Sequence, residues 1–85
     1  MRLISIGFGS YIAPERIIAA VDPESNPIKR VISQAREDGK LVDATFGRKT
    51  EAVLIMDSGH VILSPIAPDT VVQRASEGEG GGYHG

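Results

Sequence analysis

The segment EAVLIMD, Glu51 to Asp57, limits most strongly what this chain can fold into. Its centre holds five consecutive apolar residues, from Ala52 to Met56, so a strand here is apolar on both faces. In a chain of 85 residues we expect one domain, in which a single helix covers only one face of the sheet. The other face or an edge must then meet a partner, and a second copy of the chain is the simplest one.

Composition also favours assembly of several copies, and it excludes several classes of protein. The chain has no cysteine, which excludes disulfides and thiolate metal sites, and a small domain without them often gains stability by oligomerising. The apolar run LISIGF near the N-terminus is too short for a signal peptide or a membrane span, so we expect a cytoplasmic protein without membrane contact. Because the formal net charge is −2, binding to DNA requires that the cations gather on one face.

Apolar periodicity predicts the first half of the fold. Leu3 to Phe8 alternates as a strand does, and Glu15 to Val21 is interpreted as a second strand because nearby prolines leave little room for a helix. The clearest element is a helix with Asn26 as its N-cap, Pro27 in its first turn and Gly39 after its end. The apolar stripe of this helix consists of Ile28, Val31, Ile32 and Ala35.

The second half is predicted to contain a three-strand meander followed by a helix. Its strands cover Leu41 to Phe46, Glu51 to Asp57 and Val61 to Ile66. The sequence GRKT is interpreted as a hairpin turn between the first two strands, with Gly47 supplying an unusual backbone angle. A short helix then runs from Pro68 to Ser76.

This order of elements predicts an α+β domain. The sheet is expected to be mainly antiparallel, with one main amphipathic helix against it and a short C-terminal helix. We expect the domain to span residues 1–76. The acidic, glycine-rich tail 77–85 is expected to be disordered, because it has too little apolar bulk to offset the loss of chain entropy.

Two short motifs are typical of enzymes, but neither is complete. GFGSYI resembles the start of a dinucleotide fingerprint, yet Ile12 stands where a third glycine is required. Asp57, Ser58 and His60 lie in one tight turn, whereas a catalytic triad draws its side chains from separated elements. The other histidine, His84, lies in the tail, so no metal site is expected. We therefore expect a protein that is not an enzyme and has no cofactor.

The neighbouring cations Arg48 and Lys49 are the strongest candidates for a binding site. A turn at the rim of the sheet holds both out into water beside the hydroxyl of Thr50, which suits contact with the phosphates of a nucleic acid. Lys29 and Arg30 fall outside the apolar stripe of the helix and are weaker candidates. The alternative is that all these basic residues are simply solvated, which is common on protein surfaces.

Four segments carry a resemblance to a known family: ISIGFGSYI, PESNPIKR, DATFGRKT and DSGHVILS. From about Leu3 to Arg74 the chain resembles the RemA-like extracellular matrix regulatory proteins of bacteria. The resemblance implies a cytoplasmic, DNA-binding transcriptional regulator that activates genes for biofilm matrix. It also implies a LytTR-like fold and a ring-shaped homo-oligomer, heptameric or in stacked rings, around which double-stranded DNA bends.

The resemblance assigns DNA contacts to Arg16, Arg48 and Lys49, and it links Pro27 to function. Lys49 departs from the family pattern, in which arginine is expected; lysine keeps the charge but loses the forked geometry of a guanidinium. A ring repeats this weak patch on every subunit, and local concentration turns weak contacts into avidity. Two other readings stay open: a ring-forming scaffold that binds protein or an anionic ligand, and a small enzyme with a concave pocket.

Overall fold

The computed structural model describes residues 2–80 and has an α+β fold with two helices and two sheets. A single 3-10 turn, Pro14–Arg16, precedes the third strand. No helix within residues 2–80 is long and apolar enough to cross a membrane. The elements in chain order are β1 (Ile4–Gly7), β2 (Ser10–Ile12), β3 (Ile17–Val21), α1 (Asn26–Glu37), β4 (Leu41–Asp43), β5 (Ala52–Met56), β6 (Val61–Ser64) and α2 (Pro68–Gly80).

The main sheet has the strand order β3-β5-β6-β4. β5 is antiparallel to both of its neighbours, whereas β4 is parallel to β6. The predicted meander is therefore wrong at its first step, because β4 does not pair with β5 and the GRKT turn is not a hairpin. The reason is burial: Val53 and Leu54 of β5 have no exposed surface, so β5 takes an interior position. β4 carries the exposed Val42 and lies at the edge.

Both faces of the sheet are covered by the chain itself. On one face α1 packs its stripe, including the buried Ala35, against Val53 of β5 and Leu63 of β6. On the other face the β1–β2 hairpin and α2 pack against β5, with Ile6 and Val71 buried beside Leu54. The expectation of an uncovered face is therefore wrong, whereas the alternative, contact with a second copy through an edge of the sheet, stays a prediction. The uncovered face was expected because the three-residue strand β2 is too short to recognise in the sequence, so the hairpin that covers this face was missed.

The ends of the helices match the sequence to within a few residues. Ser25, not Asn26, is the N-cap of α1, and its side chain accepts a hydrogen bond of 3.4 Å from the backbone N–H of Ile28. Gly39 follows the helix with a φ of 71°, as expected. α2 begins at Pro68, as predicted, but runs to Gly80, past the predicted end. The expected disorder of the tail therefore stays a prediction for residues 81–85, which lie outside the described part of the chain.

The shift of the N-cap by one residue has a measurable consequence. Replacing Ser25 with alanine removes the acceptor for the Ile28 N–H, so we expect Ser25→Ala to lower the free energy of unfolding by about 1 kcal/mol. Asn26→Ala is the matched control and should change it by less than about 0.5 kcal/mol, because Asn26 is already inside the helix. Urea unfolding followed by circular dichroism measures both. A larger effect at Asn26 would contradict the assignment.

Candidate nucleic-acid interface

Two turns of the chain share the same central dipeptide, Phe-Gly, and the same backbone conformation. One turn joins β1 to β2, and Phe8 and Gly9 at its centre have φ angles of 55° and 81°. The other follows β4, and Phe46 and Gly47 have φ angles of 53° and 82°. Two successive positive φ angles are typical of a type I′ turn, whose first central position favours Asn, Asp or Gly. A phenylalanine there is strained by about 1–3 kcal/mol.

The fold brings these two turns together at one end of the molecule. The ring centroids of Phe8 and Phe46 are 6.0 Å apart, with the ring planes tilted by 51°. The guanidinium carbon of Arg48 lies 4.8 Å from the centroid of the Phe8 ring, within the range of a cation–π contact. Phe8 is 50% exposed and Phe46 is 65% exposed. We call these three residues the Phe-Arg cluster; it presents two aromatic rings and a cation to solvent.

The segment between β4 and β5 is anchored to the sheet at both ends. Ala44 donates its backbone N–H to the carbonyl of Leu63 at 3.0 Å, and Glu51 donates to the carbonyl of Ser64 at 2.8 Å. Between these points the side chain of Thr45 is buried. The backbone carbonyl of Thr45 accepts a hydrogen bond of 3.0 Å from the backbone N–H of Arg48. The turn that carries Phe46 and Arg48 is therefore held in place by hydrogen bonds to β6 and within the turn itself.

Asp43, the last residue of β4, supports the same turn. Its carboxylate accepts the hydroxyl of Thr45 at 2.6 Å and the backbone N–H of Thr45 at 2.9 Å. These two bonds, the hydroxyl bond first, hold the pKa of Asp43 below its ordinary value of 3.8. The carboxylate is thus ionised at neutral pH and fixes the residue that precedes Phe46.

The predicted cations fall into three places. Arg48 and Lys49 are exposed side by side, and Thr50 beside them is half-buried. Lys29 and Arg30 are exposed on α1, which covers the face of the sheet opposite the β1–β2 hairpin. Only the Arg48–Lys49 pair therefore adjoins the two aromatic rings.

Arg16 lies apart from that pair, at the other end of β5. Its carbonyl accepts the N–H of Asp57 at 2.8 Å, and its guanidinium pairs with the Asp57 carboxylate at 3.1 Å. β5 has five residues, so at about 3.3 Å per residue the strand separates Arg16 from the Arg48 loop by roughly 15 Å. One subunit therefore does not bring Arg16, Arg48 and Lys49 into a single patch. Pro27 lies in the exposed first turn of α1, and α1 covers the face of the sheet opposite the β1–β2 hairpin.

The turn at Asp57 does not form a triad. Ser58 places its hydroxyl 2.7 Å from Nδ1 of His60, while the carboxylate of Asp57 pairs with Arg16 instead. Within residues 2–80, no carboxylate is hydrogen-bonded to the imidazole in the way that a triad requires. This agrees with the sequence-based interpretation of His60 as a turn residue.

Sequence reasoning identified the exposed cations of this surface as candidates but not the aromatic residues beside them. Phe8 was interpreted as the end of a strand, and Phe46 likewise. A signal was present in the repeated Phe-Gly dipeptide of GFGS and TFGR, which follows β1 directly and follows β4 after two intervening residues. The long-range meeting of the two turns, however, is a property of the fold and has no local pattern.

The lowered pKa of Asp43 predicts how stability responds to acid. A carboxylate with a depressed folded-state pKa stabilises the folded chain at neutral pH, and this contribution is lost as the pH falls through the depressed value. Asp43→Asn should therefore lower the free energy of unfolding at pH 7 and flatten its dependence on pH below about 4. Glu15, whose pKa is lowered by its hydrogen bond with Arg2, contributes to the pH dependence of the free energy of unfolding that remains in this variant. Urea unfolding at a series of pH values tests this, and an unchanged profile would contradict it.

Comparison with known proteins places the chain in a family. Residues 3–75 match the RemA-like family model, described as extracellular matrix regulatory protein A-like. A relative from Synechococcus sp. (strain JA-3-3Ab), named "Putative regulatory protein", is 67% identical over 73 residues, which are 86% of this chain and 82% of the relative. A relative from Bacillus cytotoxicus with the same description is 54% identical over 79 residues, which are 93% of this chain and 91% of the relative. The resemblance seen in the sequence is confirmed, and the chain belongs to the RemA-like family.

Proposed function

We propose that this protein is a DNA-binding transcriptional regulator that acts as a homo-oligomer and is not an enzyme. The observation that carries the proposal is the exposed pair Arg48 and Lys49 on a hydrogen-bonded turn, beside two exposed aromatic rings. Cations held at a fixed position suit the phosphates of a duplex, and aromatic surfaces suit its sugars and bases. The regulatory description of its relatives supports the same class of function.

A single subunit binds DNA weakly on this account. The chain carries nine Lys and Arg against eleven Asp and Glu, so no large positive field attracts the polyanion. Three phosphate contacts, from Arg16, Arg48 and Lys49, correspond to a salt slope of only about −2.7 in log K against log salt. Several copies on one duplex raise the affinity through local concentration.

The open edges of the sheet support assembly into such an oligomer. β3 and β4 are its two edge strands, and they expose apolar side chains: Ile18 on β3 is 68% exposed and Val42 on β4 is 46% exposed. Contact between one subunit's β3 edge and the next subunit's β4 edge is head-to-tail, and such a contact closes into a ring or grows into a filament. A closed ring is the arrangement we propose.

A ring also reduces part of the separation of the cations. Arg16 lies beside β3, whereas Arg48 follows β4, so a head-to-tail contact between these edges brings Arg16 of one subunit nearer to Arg48 of its neighbour across the sheet, while the offset along the strands remains. A LytTR-like ring of this kind, located in the cytoplasm, presents cations around its rim. DNA that follows the rim bends, and its sequence-dependent deformability supplies specificity. In this proposal the regulated genes include those for biofilm matrix, as the family's description suggests.

The central test removes one cation from the turn. Arg48→Ala should weaken binding to a long duplex at least about 10-fold and reduce the salt slope, because each copy in the oligomer loses one phosphate contact. Arg30→Ala is the matched control: it removes the same charge from the opposite side of the sheet and should change affinity by less than about two-fold. Gel shifts and light scattering report affinity and oligomer size. Unchanged affinity for Arg48→Ala, or a smaller oligomer of that variant, would contradict a DNA contact at Arg48; equal loss of affinity in both variants would extend the contact surface to Arg30.

The ion pair of Arg16 predicts a variant that binds more tightly. Asp57 competes with phosphate for the Arg16 guanidinium, and an exposed pair of this kind is worth about 0.2–1 kcal/mol. Asp57→Asn should therefore raise DNA affinity by roughly two- to five-fold at low salt. Glu37→Gln, which removes an exposed negative charge from α1, is the control for net charge. If Asp57→Asn and Glu37→Gln raise DNA affinity equally, the gain comes from net charge alone and Arg16 does not contact the duplex.

A further inference from the structure

The phenylalanines of this chain are not used where phenylalanine is most useful for folding. The chain has two, and both are in the Phe-Arg cluster, with 50% of Phe8 and 65% of Phe46 exposed. Both also occupy the turn position at which asparagine or glycine is relaxed and a bulky side chain is strained. Folding alone favours phenylalanine in the buried core, and it favours asparagine or glycine at these two turn positions. The strain and the exposure together indicate a surface that contacts a partner.

The charges beside the rings indicate the chemistry of that partner. Arg48 lies against the Phe8 ring, and Lys49, the next residue, is exposed. The carboxylate of Asp43 is negatively charged, but it is directed to the hydroxyl and backbone N–H of Thr45. The surface is thus apolar at its centre and cationic at its side. A second copy of this slightly acidic chain matches it less well than a polymer that carries phosphates on either side of an apolar groove. Duplex DNA is such a polymer.

The shape of the cluster suits a minor groove that opens as the duplex bends. The two rings lie side by side with centroids 6.0 Å apart, on two-residue turns, and together they are wider than the relaxed minor groove of B-DNA, which is about 6 Å wide. Apolar wedges enter this groove by partly unstacking a base step and kinking the duplex toward the major groove, which widens the minor groove. Pyrimidine–purine steps such as TpA unstack most easily.

We propose that Phe8 and Phe46 form an apolar wedge that enters the DNA minor groove at a flexible base step, while Arg48 and Lys49 hold the flanking phosphates. This rests on the proposed DNA-binding function and adds the groove, the contacting rings and a source of sequence preference. Each subunit of an oligomer then bends the duplex a little at its own wedge.

The turns offer a variant that removes the wedge without harming the fold. Replacing both phenylalanines with asparagine creates Asn-Gly, the dipeptide that type I′ turns favour. Phe8→Asn/Phe46→Asn should keep the oligomer size of the wild type and melt at the same or a higher temperature. Phe46→Asn alone leaves Phe8 beneath Arg48 and serves if the double variant does not fold. Val72→Ala, which trims another exposed apolar side chain on α2, is the control.

The binding probe is a duplex of about four helical turns with one TpA step in each turn, in which 2-aminopurine replaces the adenine of each step. The wild type should increase the 2-aminopurine fluorescence and bind this duplex more tightly than a stiff A-tract of equal length. The double variant should bind it roughly 10-fold more weakly, and Phe46→Asn alone about three-fold more weakly. Both should lose the fluorescence increase while keeping the salt slope, since the phosphate contacts remain. Val72→Ala should behave as the wild type does.

Three results would contradict the proposed wedge, and they differ in whether they also contradict the proposed DNA-binding function. If the phenylalanine variants keep full affinity and the fluorescence increase while Arg48→Ala loses binding, the DNA-binding function stands and the wedge fails. If the variants form a smaller oligomer, the two rings seal a contact between copies of the chain instead. If the wild type shows no salt-dependent binding to either duplex, the wedge and the proposed function fail together.

Discussion

The burial of β5 on both faces is the constraint from which the rest of the structure follows. Val53 packs beneath α1 and Leu54 packs beneath the β1–β2 hairpin and α2, so this one strand needs a cover on each side. Substitution of such a residue by alanine typically costs about 2–5 kcal/mol, a large share of the stability of a small domain. Because β1, β2 and α2 are drawn onto one face, the turn at Phe8 comes to lie beside the turn at Phe46.

Surface chemistry and fold are therefore coupled in this protein. The Phe-Arg cluster exists only where two segments that are distant in the chain meet, and each is held by its own hydrogen bonds rather than by burial of the rings. Arg16 illustrates the complementary case, because its carbonyl bond to Asp57 fixes it at the opposite end of β5. The separation of these sites makes assembly central to the proposed function, since one subunit presents only part of the cationic surface.

Local elements could be predicted from the sequence, whereas their pairing could not. The stripe of α1 and the stop at Gly39 follow from short-range rules, and so does the positive φ of Gly47. The choice of β5 as an interior strand and β4 as an edge depends on which residues the whole fold can bury, which is why the expected β4–β5 hairpin was wrong. For the site, adjacent cations at a turn could be read directly. The proposed role of Phe8 and Phe46 could not, because isolated exposed aromatic residues are common on protein surfaces and the sequence does not show that these two meet.

The account's central claim is that many copies share one duplex through repeated small cationic patches. The most direct test is the mass of the protein in solution, alone and with a long duplex, measured by sedimentation at about 50 and 200 mM salt. The account predicts a closed oligomer of fixed size in the absence of DNA. On the duplex it predicts a complex that contains whole oligomers and whose affinity falls steeply with salt. A single subunit at high concentration, or binding that is indifferent to salt, would contradict it and favour a scaffold that recognises another kind of ligand.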